Sequence, residues 1–346
     1  MTMNGSSAPA PVEVAPPPRH RPPWPSGLQA NGSLGLGVLA AIGLLVWVGV
    51  NGYKQTLLVT AATYALIALG MYIPFVLAGS LSLAYGAYAS IGGYAVALIS
   101  TETGLPLWFG WLIGPVIAAV AAVILGLATR RLSGFYLVAV TLLFSEAFQN
   151  YLSNASFTGG NAGLASFRTL DVFGWHPSNE QLIIASAAVV CVVAFLLNRL
   201  RLSPWGIVVR SMREVPSAVE AAGTRVPILN LVALAMGAGI GALAGALFTQ
   251  MSGSIQPNTF TLNLVFLAIF MPIIGGTGTP WGAVLGALIV VELTLNLPSL
   301  HTSGTLLVSL GVLLIMLVAP RGVLGYLDTG RKELMRALTP TKGTDG

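Results

Sequence analysis

Few side chains in this sequence are equipped for chemistry. The histidines, His20, His176 and His301, lie outside the apolar runs, and none stands at His–His or His–carboxylate spacing within one. A metal-dependent hydrolase buried in a membrane would therefore lack its ligands, and an intramembrane serine protease would lack its histidine base. The single cysteine, Cys191, sits in an apolar run, so neither an intrachain disulfide nor a thiolate metal cluster is available. It reads as a small buried apolar residue. No phosphate-binding GxxxxGK[ST] occurs; GGTGTPWG, from Gly275, lacks the lysine. Two carboxylates remain inside apolar runs, Glu146 in TLLFSEAFQN and Glu292 in IVVELTLN. A carboxylate is costly there and marks function by default. Glu146, with Ser145, Gln149 and Asn150 close by, suits an aqueous vestibule or the outer interface. Glu292, beside Thr294 and Asn296, suits contact with a neighbouring subunit. No lysine or arginine falls within the apolar runs to pair with them, which argues against ion coupling through charge pairs; with metal ligands and a histidine base also lacking, no catalytic residues, no metal and no bound cofactor are expected.

The elements that would position these groups are membrane helices. Hydrophobic residues make up 55% of the chain and charged ones 8%, against roughly a quarter charged in soluble domains. The fold expected is an all-α polytopic membrane protein with about ten transmembrane helices, at roughly 34–50, 56–78, 84–101, 108–129, 135–151, 182–198, 229–250, 262–276, 281–297 and 303–319. A transmembrane barrel would alternate with period two, and no such pattern occurs. Residues 1–32, rich in Pro, Ala and Ser, read as a disordered tail; 33–326 as the membrane domain; 327–346 as a second tail. With both tails on the inside, only Lys54 and Arg168 fall outside. Arg19, Arg21, Arg130, Arg131, Arg199, Arg201, Arg210, Arg213, Arg225, Arg321, Arg331, Lys332, Arg336 and Lys342 fall inside. The positive-inside bias thus predicts cytoplasmic termini.

Three segments interrupt the apolar pattern. GSLSLAYGAYASIGGYAVAL, Gly79 to Leu98, is crowded with glycine and serine, and is either a tightly packed hairpin or an interrupted helix beside a pathway. IGGTGTPWGAVLGALIVVEL, from Ile274, is either a short turn or a re-entrant element. Its TPWGAVLGAL faintly echoes LAYGAYASIG, which points to two related halves of inverted topology. Gly237, Gly241 and Gly245 form a small-residue stripe suited to close helix packing. The outer loop FTGGNAGLASF offers Thr158, Gly159, Gly160 and Asn161 for an exposed turn that meets a partner or a solute.

The polar loop from Arg199 to Asn230 is where a cytoplasmic partner would dock. Ser203-Pro204 reads as an N-cap and first-turn proline, and Pro216 starts a second short helix that ends at a left-handed Gly223. A plain connection would not need two capped helices.

SPWGIVVRSMREVPSAVEAAG in this loop resembles the cytoplasmic segment of the branched-chain amino acid permeases of ABC importers, the LivM-like subunits. Further motifs follow in the family's order. GSLSLAYGAYASIGGYAVAL is similar to its G-x-LSLG-x-G-x-F-x-x-IG-x-Y segment, and FYLVAVTLLFSEAFQN with TGGNAGL to its YF-x-x-x-TL-x-x-x-E and TGG-x-x-GL. GGTGTPWGAVLGA and PRGVLG match the remaining two, and the resemblance covers about residues 35–326. Tyr85 stands where histidine is common, Ala283 where proline is common, and Val215-Pro216 replaces an acidic or polar pair. The resemblance implies a permease subunit in a bacterial inner membrane, working with two ATPase subunits that carry ATP and Mg, a second LivH-like permease and an extracytoplasmic substrate-binding protein. Branched-chain amino acids are the default cargo, with urea, short amides and small carboxylates also served by the family. It further implies coupling contacts at Ser203, Pro204, Arg210, Arg213, Glu214, Glu220, Ala221 and Gly223, and a binding-protein contact at Thr158–Asn161. Ser80, Ser82, Gly86, Thr141, Glu146, Gly275 and Gly276 are expected to border the pathway. A gradient-driven secondary transporter is the alternative.

Overall fold

The computed structural model describes residues 52–103, 108–132, 134–165 and 179–295. The expected spans 34–50 and 303–319, both tails and the PRGVLG motif lie outside the described residues. The structure is helical almost throughout. Helix α1 (Gly52–Met71) runs into a π-helical turn, Tyr72–Leu77, and an irregular segment leads to α2 (Tyr85–Leu98) with its own π-helical extension, Ile99–Thr103. Then come α3 (Trp108–Ala128), α4 (Phe135–Asn154), α5 (Asn179–Leu202), the short α6 (Pro204–Glu214) and α7 (Pro216–Ala221), α8 (Val226–Ser252), α9 (Leu262–Gly275) and α10 (Pro280–Leu295). Each expected span that falls within the described residues meets a helix, with ends shifted by about four residues at most. Among the described residues, five helical stretches are long and apolar enough to cross a membrane: Leu57–Leu77, Trp108–Ala128, Glu180–Leu202, Val226–Ser252 and Pro257–Gly275.

Helix α8 is the hub, packed most extensively against α2 and α3 and then α1. The glycine stripe explains why. A side chain at Gly245 would strike the carbonyl of Ala89, one at Gly92 the carbonyl of Ala242, and one at Gly70 would lie 2.7 Å from the carbonyl of Gly237. Backbones therefore touch where side chains would normally intervene, as in small-residue membrane interfaces. Helix α3 adds its own stripe, Gly110, Gly114, Ala118, Ala122 and Gly126, all buried, while Leu112, Val116, Val120 and Ile124 on its other side are exposed. The hairpin of α9 and α10 packs against α1 and closes on itself through Gly275, Gly282 and Gly286.

The change of helix type after Met71 has a covalent cause. Pro74 has no N–H to give to the carbonyl of Gly70 four residues earlier. The hydroxyl of Tyr85 donates to that carbonyl instead, at 2.9 Å, in a fully buried position. The chain then turns at Gly79 (φ 76), in the left-handed region. It continues without helical structure until Tyr85. The segment's first half therefore interrupts the helices, and its glycine-rich second half is a continuous helix packed tightly on α8 and α3 rather than paired with α1 as a hairpin.

Candidate functional site

The polar loop folds as its local chemistry dictates. Ser203 caps α6, its hydroxyl accepting from the Gly206 amide at 3.3 Å, with Pro204 in the first turn. Pro216 opens α7, and Gly223 (φ 84) ends it by a bond from its amide to the Glu220 carbonyl at 2.9 Å. Gly206, Val209 and Met212 on α6, with Val219 on α7, are buried and anchor the pair to the bundle. That leaves Pro204, Arg210, Glu214, Glu220, Ala221 and Gly223 exposed on the outer side. Most of the residues expected to couple are thus exposed.

Arg213 is also exposed, but its guanidinium donates to the Val76 carbonyl at 2.6 Å, and its side-chain stem covers Gly79, where a Cβ would lie 2.8 Å from Cγ. Besides lying on the exposed side, this residue ties α6 to the π-helical turn. The Tyr72 hydroxyl in that turn donates to the Thr277 carbonyl at 3.2 Å. The loop, the π-helical turn and the α9–α10 turn therefore meet at one end of the bundle, the end to which the charge bias assigns all three.

The expected pathway residues divide into groups. Ser82, Gly86 and Thr141 meet where the irregular segment and the start of α2 face α4. The Thr141 hydroxyl accepts from the Leu83 amide at 2.9 Å. Ser145 and Gln149 continue the stripe at i+4 and i+8 on the buried side of α4, and Gln149 Nε2 donates to the Phe260 carbonyl at 2.6 Å. This closure was missed in the sequence, although the four-residue spacing of Thr141, Ser145 and Gln149 was its signal. Ser80 is half-buried, its amide donating to the Pro74 carbonyl at 2.7 Å. Glu146 stands apart on the exposed side of α4, with Phe135, Leu143, Asn150 and Tyr151. Gly275 and Gly276 also lie elsewhere, buried in the α9–α10 turn, where a side chain at Gly275 would strike the Gly282 carbonyl. That turn is short and closes a hairpin.

At the opposite end, the strand Leu164–Ala165 pairs antiparallel with Ser254–Ile255. Gly159, Gly160 and Gly163 all adopt positive φ, as a tight turn requires. Gly159 and Asn161 are exposed, Gly160 half-buried. Thr158 is corrected: it is 0% exposed, and its hydroxyl donates to the carbonyls of Leu152 and Ala155. It shapes the turn from within.

The family model of the branched-chain amino acid transport system permease component matches residues 54–319. The chain is 28% identical over 286 residues to the high-affinity branched-chain amino acid transport system permease protein LivM of Escherichia coli strain K12, covering 75% of this chain and 67% of that protein. It is 30% identical over 194 residues to a probable branched-chain amino acid transport permease protein LivM of Methanocaldococcus jannaschii, covering 54% and 55% respectively. It is also 28% identical over 284 residues to LivH of Escherichia coli strain K12, covering 76% of this chain and 92% of that protein. No solved structure matches the chain. The resemblance carried by the sequence motifs is borne out: the chain belongs to the permease-component family of branched-chain amino acid transport systems and is a membrane-spanning permease subunit of the ABC-importer type.

Proposed function

We propose that this chain forms half of the translocation path of an ATP-driven importer of branched-chain amino acids, in a bacterial inner membrane, crossing it about ten times with both termini in the cytoplasm. The observation that carries the coupling part of this reading is the α6–α7 pair. Its buried residues hold it to the bundle, while Arg210, Glu214 and Glu220 are exposed on two short helices, the first of them capped by Ser203. Such a surface suits a rigid lever for separate ATPase subunits, which would supply ATP and Mg. The chain's similarity to both LivM and LivH supports pairing with a second, LivH-like permease. Helix α4 fits that seam: its open side carries Glu146 and Asn150, polar groups unsuited to lipid. The exposed turn at Gly159–Asn161 would receive an extracytoplasmic binding protein, and the faint echo between the two glycine-rich segments supports inverted halves.

Purification of the chain from its native membrane in mild detergent, with mass spectrometry of the co-purifying proteins, tests the assembly. Recovery of ATPase subunits and a second permease is the expected result. A well-folded chain recovered alone would replace this reading with a gradient-driven carrier.

A further inference from the structure

We infer that the amino-terminal end of α2, together with the Ser145 hydroxyl, is the subsite that receives the carboxylate of the transported solute. The inference rests on the reading of the chain as the translocating subunit, and goes beyond it by naming the group recognised and the atoms that recognise it.

Helix α2 has 14 residues and begins only after the non-helical segment that follows Gly79. The amides of its first turn, from Tyr85, Gly86 and Ala87, have no partners within the helix by geometry. Ala84 at the cap position has no side-chain oxygen, and no side chain caps the helix. All three residues are buried. An uncapped, buried helix start is unsatisfied on the donor side and carries partial positive charge.

A second observation points to a ligand at the same place. Ser145 is 0% exposed, and its hydroxyl has no hydrogen-bond partner among the described residues. Its Oγ lies 3.0 Å from where a Cβ on Gly86 would stand, between the Phe260 carbonyl at 2.8 Å and Gln149 Nε2 at 3.1 Å, so the hydroxyl is held against the first turn of α2. Neighbouring polar groups are already engaged: Thr141 with the Leu83 amide, and Gln149 with the Phe260 carbonyl. The unused groups are backbone amides, which donate, and one hydroxyl, which can donate as well as accept. An anionic acceptor satisfies them together, and a carboxylate is the one an amino acid carries.

In this arrangement the subsite is closed, because α4 lies directly on it. Helix α4 packs chiefly against α2 and the 3₁₀ turns Gly160–Ala162 and Pro257–Thr259. Parting the Gln149–Phe260 and Thr141–Leu83 bonds would let it move away and uncover the end of α2. The same movement would release the solute once its carboxylate was displaced by re-closure.

The test uses the assembled transporter, purified and reconstituted with its partners. Ser145→Ala removes a hydroxyl that lacks a partner in the empty state. The empty complex should therefore melt at the same temperature or higher, while leucine uptake falls roughly tenfold, as expected for loss of a hydrogen bond to a charged group. A variant that is equally stable and transports at the parent rate overturns the inference. For a direct reading, Ser145→Cys is placed in a Cys191→Ser background and labelled with an anionic methanethiosulfonate. Millimolar leucine should slow labelling, and leucinamide, which has the same side chain without the carboxylate, should not. Equal protection by both compounds, protection by neither, or no labelling in any nucleotide state overturns the assignment. ATP-driven uptake by the Cys191→Ser chain is the control that separates the two failures. If it is absent, the importer reading falls and takes the subsite with it; if it persists while labelling is unprotected, the subsite alone is discarded.

Discussion

Gly70, Pro74 and Tyr85 show how one missing hydrogen can shape a local structure. Proline removes the donor, the carbonyl of Gly70 is left buried, and the Tyr85 hydroxyl reaches it from the next helix at 2.9 Å. This gives a reason for a polar donor at position 85. Tyr85→Phe keeps the ring and its edge contact with Tyr88 but leaves the carbonyl unsatisfied. The expected cost is about 1–3 kcal/mol, read as a lower melting temperature of the detergent-solubilised protein. Arg213 makes a comparable link over a longer sequence distance. Arg213→Ala should leave the fold intact and reduce ATP-driven uptake severalfold, roughly in line with the loss of one charge-assisted bond, while ATP hydrolysis continues. An unchanged ratio of uptake to hydrolysis would show that the bond to Val76 does not transmit motion.

Among the elements, the α6–α7 pair was the most legible in the sequence, because proline, serine and glycine state their backbone geometry locally. Both caps and both helix starts lie where Ser203, Pro204, Pro216 and Gly223 place them. The outward residues of this pair are where a partner's charge would be felt. Glu220→Lys reverses a charge on an exposed helical turn and should not disturb folding. It is expected to uncouple ATP hydrolysis from uptake in reconstituted vesicles; full transport by this variant would remove the coupling role. Less legible were the partners of side chains that bond across long stretches of sequence. Gln149 meets Phe260 across 111 residues and Arg213 meets Val76 across 137, distances over which no periodicity speaks. Thr158 was misplaced for a related reason. A threonine in a glycine-rich turn reads as exposed, and only the fold of the turn brings the carbonyls of Leu152 and Ala155 to its hydroxyl.

Across the whole molecule, α1, α2, α3 and α8 form one closely packed unit, and α4 and the α6–α7 pair attach to it through fewer contacts. The apolar runs announced the helices through length and composition alone, and the alternation of charge assigned their ends. Elements placed on the same side by that rule do meet in space: the π-helical turn, the α9–α10 turn and the polar loop at one end, the two short strands at the other. Switching between outward and inward states is then expected to leave the four-helix unit unchanged and to move α4 against it. Spin labels on exposed positions of α3 and α4, Val120 and Leu143, should report a changed distance on ATP binding, whereas a pair on α3 and α8, Val120 and Val232, should not.

The backbone contacts along α8 also set which genetic changes this protein can absorb. At an ordinary side-chain interface, a larger residue is often accommodated by a rotamer change in its neighbour. Ala89 and Ala242 have no rotamers, and the atoms that an added methyl at Gly245 or Gly92 would strike are carbonyls fixed within helices. A saturation library scored for growth should therefore show a narrow line of intolerance along Gly92, Gly237, Gly241 and Gly245, next to permissive apolar positions such as Leu112, Val116 and Val120 on the outer side of α3. Variation within such a protein is confined to its periphery, and new cargo preferences would have to arise by changing α4 and its surroundings while this inner seam stays as it is.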